Sequence, residues 1–140
     1  MAQKKNDTLQ IIQFDPDDFY ITMVNLVLYN MGTELAGSAF DLETSKTLVD
    51  KITRKEIKPE IAIIEAHMGK SEYDGDKIAA KLKELVPEIK IIGFSTYETE
   101  KWSDIQAMKT LKDTDKSIIK ALEGATGLTF ENSNVKDPSD

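Results

Sequence analysis

The chain patterns as an α/β domain with a doubly wound, parallel five-stranded sheet, and three observations predict it. Short apolar runs alternate with helical patterns in the order βαβαβαβα and then βα, with brief connections. The strongest run, Ile61-Ala62-Ile63-Ile64, is continuously apolar instead of alternating, as in a strand covered on both faces. The chain has 140 residues, 40% of them hydrophobic, enough for one core.

Leu9 to Phe14 is the first strand candidate. Asp15-Pro16-Asp17-Asp18 follows, with proline and acids where a helix amino terminus favours them. The spacing of Phe19, Met23, Leu26, Val27 and Asn30 predicts a helix over 19–31 with that face buried, closed by Gly32 as a left-handed cap. Glu34 to Phe40 is a weaker strand. Asp41 is the expected N-cap of a second helix whose inner side is Leu42, Leu48, Val49 and Ile52. Ile61 starts the central strand. Asp74-Gly75 opens a third helix with Ile78, Ala79, Leu82 and Leu85 on one face, and Pro87 stops it. Ile89 to Phe94 is another buried strand, ending at Ser95-Thr96. Beyond it, Glu98 to Met108 has a helical pattern around Trp102, Ile105 and Met108. Thr110-Leu111 is a very short strand, and Asp115 caps a last helix over 116–123, with Ile118, Ile119 and Leu122 inside and Gly124 ending it. The expected division is a polar amino-terminal segment 1–8, a domain over 9–124 and a polar tail over 125–140, with Leu128 and Phe130 able to fold back.

Composition excludes several classes. Without cysteine there are no disulfides or thiolate metal sites. The first seven residues lack the apolar core of a signal peptide, and no apolar run approaches the roughly 20 residues that cross a bilayer. A cytoplasmic location without membrane association is the expectation. Formal charge is −7 with Arg54 the only arginine, which argues against nucleic acid and favours a protein partner or a small cation.

Acids close two strands that are commonly neighbours in such sheets: Asp15 after the first and Glu65 after the third, while Ser95-Thr96 closes the fourth. Carboxylates beside a hydroxyl suit Mg²⁺, so Asp15 and Glu65 are candidate metal ligands. A structural pair held by Lys112 is the favoured alternative. Asp17 and Asp18 serve either as ligands or, preferably, as helix-start acids. His67, the only histidine, is better explained as an ordinary loop residue than as a ligand. Ser95 and Thr96 suit a phosphate contact or a helix cap equally. Tyr97 with Trp102 is either a partner-binding patch or packing for an irregular fourth helix.

From Leu9 to Glu123 these residues resemble the receiver domains of two-component response regulators. The carrying segments are the strand ending at Asp15, the strand ending at Glu65 with its loop and Asp74-Gly75, Pro87 to Ser95 with its terminal hydroxyl, and Leu111-Lys112. The resemblance implies a flavodoxin-like (CheY-like) α/β/α sandwich. It makes Glu65 the counterpart of the phosphoacceptor aspartate, Asp15 and Asp17 the acidic pocket, and Ser95 and Lys112 the switch residues. It also implies possible Mg²⁺ binding and a protein partner such as a histidine kinase or another signalling protein, with homodimerisation compatible.

Five departures weigh against phosphotransfer. The family's second acid after the first strand is replaced by Pro16, with Asp17 one residue too far along. Glutamate stands at the acceptor position. The loop to Asp74-Gly75 is longer than usual by two residues, with Gly69 where proline is common. The usual proline after the lysine is Asp113. The interval from Ser95 to Lys112 is about five residues short, and Lys109 falls where the family has an aromatic. Misplacing a reacting atom by about 1 Å costs roughly 100-fold in rate, and the extra methylene of glutamate exceeds that. The expectation is a stand-alone pseudo-receiver, not an enzyme, needing no cofactor and working as a phosphorylation-independent interaction module. Two rivals are a Mg²⁺- or phosphate-responsive receiver using Asp17 and a small α/β ligand-binding protein or enzyme. The latter is weakened by the lack of a Gly-rich phosphate loop, a cysteine nucleophile or a serine–histidine pair.

Overall fold

A computed structural model describes residues 9–69, 73–110 and 112–127. Five strands and four helices follow in the order β1 (Ile11–Phe14), α1 (Asp18–Asn30), β2 (Leu35–Ala39), α2 (Leu42–Thr53), β3 (Ile61–Ile64), α3 (Gly75–Leu85), β4 (Lys90–Ser95), β5 (Ile105–Met108) and α4 (Thr114–Thr126). All strand pairs are parallel and the order is β2-β1-β3-β4-β5, so the expected doubly wound sheet is present and β1 and β3 are neighbours. Among the described residues, no helix is long and apolar enough to cross a membrane.

Alternation along the strands divides the core into two layers. Ile12, Phe14, Ala62, Ile64 and Ile91 face α2 and α3, joined by Leu48, Ile52, Ile78 and Leu82. Ile11, Ile61, Ile63, Ile92, Phe94 and Ala107 face α1 and α4, joined by Val24, Leu28, Ile118 and Leu122. Continuous apolar strands therefore supply both layers at once.

Local signals account for most helix ends. Asp41 caps α2 through a capping box, accepting from the Thr44 amide at 2.8 Å while the Thr44 hydroxyl accepts from the Asp41 amide at 3.1 Å. Gly32 has φ +83°, the left-handed conformation expected after α1. Asp74 precedes α3 but does not cap it through its side chain; its carboxylate instead accepts from the Met68 amide at 2.9 Å and ties down the loop after β3.

Several expectations are corrected. The buried face of α1 is Ile21, Val24, Val27 and Leu28, while Phe19 and Leu26 point outward. Nearly every position of that helix is apolar or neutral, so periodicity did not distinguish its two sides. Leu42 is only half-buried and Leu85 is exposed. The final helix begins at Thr114 after Asp113, not after Asp115, and does not end at Gly124 but runs on to Thr126, with Gly127 as its left-handed cap. Residues 1–8 and 128–140, including Leu128 and Phe130, lie outside the described residues.

The largest correction concerns 96–110. No helix forms over 98–108, and Thr110 is not in a strand; Leu111 lies outside the described residues. The last strand is Ile105–Met108, and nine residues, 96–104, cross from β4 to β5 without a helix. Parallel neighbours usually need a dozen or more. Gly93 makes the short path possible. A Cβ there would lie 2.0 Å from Thr99 Oγ1, so the crossover rests directly on the middle of β4. The buried Thr99 carbonyl accepts from the Trp102 and Ser103 amides, and Asp104 closes the segment: its carboxylate accepts from the Ile91 amide at 2.7 Å and pairs with Lys83 at 3.0 Å. Trp102 packs half-buried on the α2/α3 layer, over the start of α3 at Gly75. A flat crossover thus covers the sheet where a helix was expected.

Candidate functional site

Register and alternation assemble the site at the carboxyl ends of the strands. Phe14 is paired with Ile64, so the next residues, Asp15 and Glu65, stand side by side. Ser95 is paired with Met108, which brings Lys109 alongside. By the two-residue period, Asp15, Glu65 and Lys109 continue the rows through Ile11, Ile63 and Ala107, which face α1 and α4. They converge under Tyr20.

Lys109, not Lys112, is the lysine of the site. Its ammonium lies 2.5 Å from Glu65 Oε1 and 2.7 Å from Asp15 Oδ2, and all three residues are buried. It also sits 4.1 Å from the centroid of the Tyr20 ring and 5.2 Å from that of Phe94, within cation–π range. Lys112 is exposed in the turn leading to α4. The misplacement arose from reading Thr110-Leu111 as the strand; with β5 at 105–108, the residue just after it is Lys109. A short apolar stretch, Ile105 to Met108, directly before a lysine was the available signal.

Both Glu65 oxygens are engaged. Oε1 takes the Lys109 ammonium, while Oε2 accepts from the Ser95 hydroxyl at 2.7 Å and from the His67 amide at 3.0 Å. Burial by itself would raise the Glu65 pKa, but Lys109, the Ser95 hydroxyl and the His67 amide outweigh it and hold the carboxyl below its ordinary value. Asp15 goes the other way. Burial pushes it up, and the contacts with Lys109 and the Asp17 amide offset only part of that. One ammonium therefore serves two carboxylates unequally, with Glu65 holding its charge more firmly.

The remaining candidates separate. Asp17 is exposed and caps α1, accepting from the Phe19 amide at 3.0 Å, while its own amide donates to Asp15 Oδ1 at 2.9 Å. Asp18 lies in the first turn of α1. Thr96 is exposed. The His67 ring is exposed and meets Tyr97 edge-on at 4.5 Å, so Tyr97 lies beside the loop after Glu65, while Trp102 packs on the α2/α3 layer.

These residues do not fit Mg²⁺. The ammonium of Lys109 lies between the two carboxylates, where a divalent ion would need them as ligands at about 2.0–2.1 Å. The third acid, Asp17, is committed to a helix cap. Among the described residues, no group of three potential metal-ligating side chains converges. As it stands, the arrangement is a buried cluster in which one ammonium is shared by two carboxylates, and it ties together the ends of β1, β3, β4 and β5.

No protein-family model matches the chain, and no curated protein matches it in sequence. Solved structures do. The RcsB response regulator of Salmonella typhimurium is similar over 93% of this chain with a TM-score of 0.68 at 17% identity, and this chain spans 65% of that protein's length. CheY of Borrelia burgdorferi, solved with CheX, BeF₃ and Mg²⁺, aligns over 83% of this chain and 87% of its own, with a TM-score of 0.68 at 14% identity. A CheY-like receiver domain protein of Methanospirillum hungatei covers 83% and 91% respectively, with a TM-score of 0.65 at 15% identity. The structural neighbours are response regulator receiver domains, and the fold of this chain is the CheY-like, flavodoxin-like fold they share.

Proposed function

We propose that this chain is a receiver-like signalling domain that works without phosphorylation, as a protein-interaction or adaptor module in two-component-type signalling. One observation carries the reading: the Glu65 carboxylate, which the resemblance makes the counterpart of the phosphoacceptor, already has both oxygens bound, to Lys109 on one side and to Ser95 and the His67 amide on the other. A carboxylate acts as a nucleophile through an oxygen free to line up with the donor, and here such an oxygen would first have to leave a buried ion pair. With Pro16 in place of a second acid and Asp17 spent on a cap, no further carboxylate among the described residues joins Asp15 and Glu65 to recruit a metal that would align a donor. The ammonium, hydroxyl and charge of a closed site are all present in the resting chain.

The same reading makes the chain a non-enzymatic, cytoplasmic module. Its output goes through contacts with a protein partner, for example a histidine kinase or another signalling protein, and not through nucleic acid, which its −7 charge would repel. The helix-free crossover 96–104, with exposed Tyr97 at its start, replaces the surface that a fourth crossover helix would otherwise form. This favours a partner set different from that of an ordinary receiver.

The test is incubation with acetyl phosphate and Mg²⁺ followed by intact mass measurement. The expected result is no added phosphate in the natural chain or in Glu65→Asp, because a shorter acid alone does not restore the second carboxylate. A phosphate gain by the natural chain that disappears in Glu65→Gln would overturn the proposal.

A further inference from the structure

We propose that Tyr20 is the lid of the buried cluster: its ring seals the Lys109 ammonium from water and small solutes, and its swing is the motion that opens the site. The inference deepens the reading of a closed site and rests on it. Lys109 carries three N–H donors, and among the described residues two oxygens lie against them, Asp15 Oδ2 at 2.7 Å and Glu65 Oε1 at 2.5 Å. What lies over the rest of the ammonium is aromatic. The centroid of the Tyr20 ring is 4.1 Å away and that of Phe94 is 5.2 Å away, within cation–π range. Phe94 is fully buried and belongs to the floor of the site. Tyr20 is half-buried, and the three charged residues beneath it are buried, so it is the cover between them and solvent.

One short segment supplies both the acid and its cover. Asp15 Oδ1 accepts from the Asp17 amide at 2.9 Å, Asp17 Oδ1 accepts from the Phe19 amide at 3.0 Å, and the Tyr20 amide donates to the Asp17 carbonyl at 3.0 Å. The start of α1 is thereby fixed to Asp15, and the backbone of Tyr20 with it. The ring is held differently. It meets Phe94 edge-on at 5.6 Å and Phe19 edge-on at 5.1 Å, and its hydroxyl makes no hydrogen bond among the described residues. A fixed backbone carrying a ring held by aromatic contacts alone is the construction of a hinged cover, since rotation about two side-chain bonds opens it without disturbing the helix. The open ring admits water to the ammonium and weakens its attraction to both carboxylates, because ion pairs lose strength as the surrounding dielectric rises.

Trace acetylation of the full chain with acetic anhydride, quantified lysine by lysine by peptide mass spectrometry, reads the lid directly, because a covered amine reacts only from an opened state. In the natural chain Lys109 should label at least about 100-fold more slowly than exposed Lys112 and Lys120. Tyr20→Ala should speed Lys109 by about tenfold, the scale of a desolvated cation–π contact, and leave Lys112 unchanged. Tyr20→Leu, a gentler loss of the ring, should speed it by a smaller factor. Tyr20→Phe keeps the ring and should stay within about twofold of the natural rate. Ile52→Val weakens the opposite core layer and should leave Lys109 as slow as in the natural chain, which separates lid opening from a general loss of stability. No phosphate enters the measurement, so a failure here is distinct from a failure of the phosphorylation-independent reading, which falls on a gain of phosphate. Lys109 labelling as fast as Lys112 in the natural chain would overturn the lid, as would a rate that Tyr20→Ala and Tyr20→Leu leave unchanged or that Ile52→Val raises as much.

Discussion

Replacing Lys109 with methionine removes the charge and keeps most of the side-chain volume. Asp15 and Glu65 would then face each other, both buried, with no cation between them. Removing one partner of a buried ion pair typically costs about 3–5 kcal/mol, because an uncompensated charge stays behind. Domains of this size are held by about 5–15 kcal/mol in all, so the variant should still fold at low temperature. With a urea slope near 1–3 kcal/mol/M, its unfolding midpoint should fall by about 2 M. The loss should shrink as pH falls, since protonating the two carboxyls removes the repulsion that Lys109 had neutralised. Adding Glu65→Gln to Lys109→Met should recover part of the loss for the same reason. Lys112→Met is the control: that side chain is exposed, and its change should stay within about 0.5 kcal/mol. Urea titrations of the four proteins at pH 5 and pH 7 decide the matter. A cost below about 1 kcal/mol for Lys109→Met, the range of surface pairs, would refute the claim that Lys109 is the buried counter-ion.

Carboxyl-carbon NMR should find Glu65 titrating below its ordinary value and Asp15 above it. With its folded pKa lowered, Glu65 contributes stability that is present above its unfolded pKa and lost as pH falls through the folded one; Asp15, raised, contributes the opposite slope between its unfolded and folded values. An ordinary value at both positions would contradict the site as described. Gly93→Ala drives a methyl group into Thr99, and overpacking of this kind should cost about 1–3 kcal/mol by urea unfolding. Shortening the obstacle in Gly93→Ala/Thr99→Ser should not fully relieve it, because the Cβ of residue 99 itself lies 2.4 Å from the added methyl. Glu65→Asp draws the carboxylate back by about one bond length, roughly 1.5 Å. It should therefore weaken the contacts to Ser95 and Lys109 and lower the thermal midpoint, a result readable by circular dichroism.

The order of strands and helices as far as β4, the parallel sheet and its two covered faces were legible in the amino-acid pattern of apolar runs and helix caps. Ile61–Ile64 is apolar throughout and must be buried on both sides; Asp41 and Thr44 form their capping box across one turn. The acids ending β1 and β3, Asp15 and Glu65, could be named for the same reason: each directly follows an apolar strand. What the tertiary structure decided lies wherever a residue's role depends on a neighbour distant in sequence. Lys109 is the counter-ion, and Lys112 is not, because β5 is placed by pairing with β4 across a crossover that packs onto Gly93. The helical spacing of Trp102, Ile105 and Met108 was a real pattern without a helix: hydrogen bonds to β4 and the packing of Trp102 over α3 outweighed a local preference that nine residues had no room to satisfy. For α1 the sequence predicted a helix with a wide apolar face but misassigned which residues form its buried side. Only the packing against the sheet showed which side is buried and which is left facing outward.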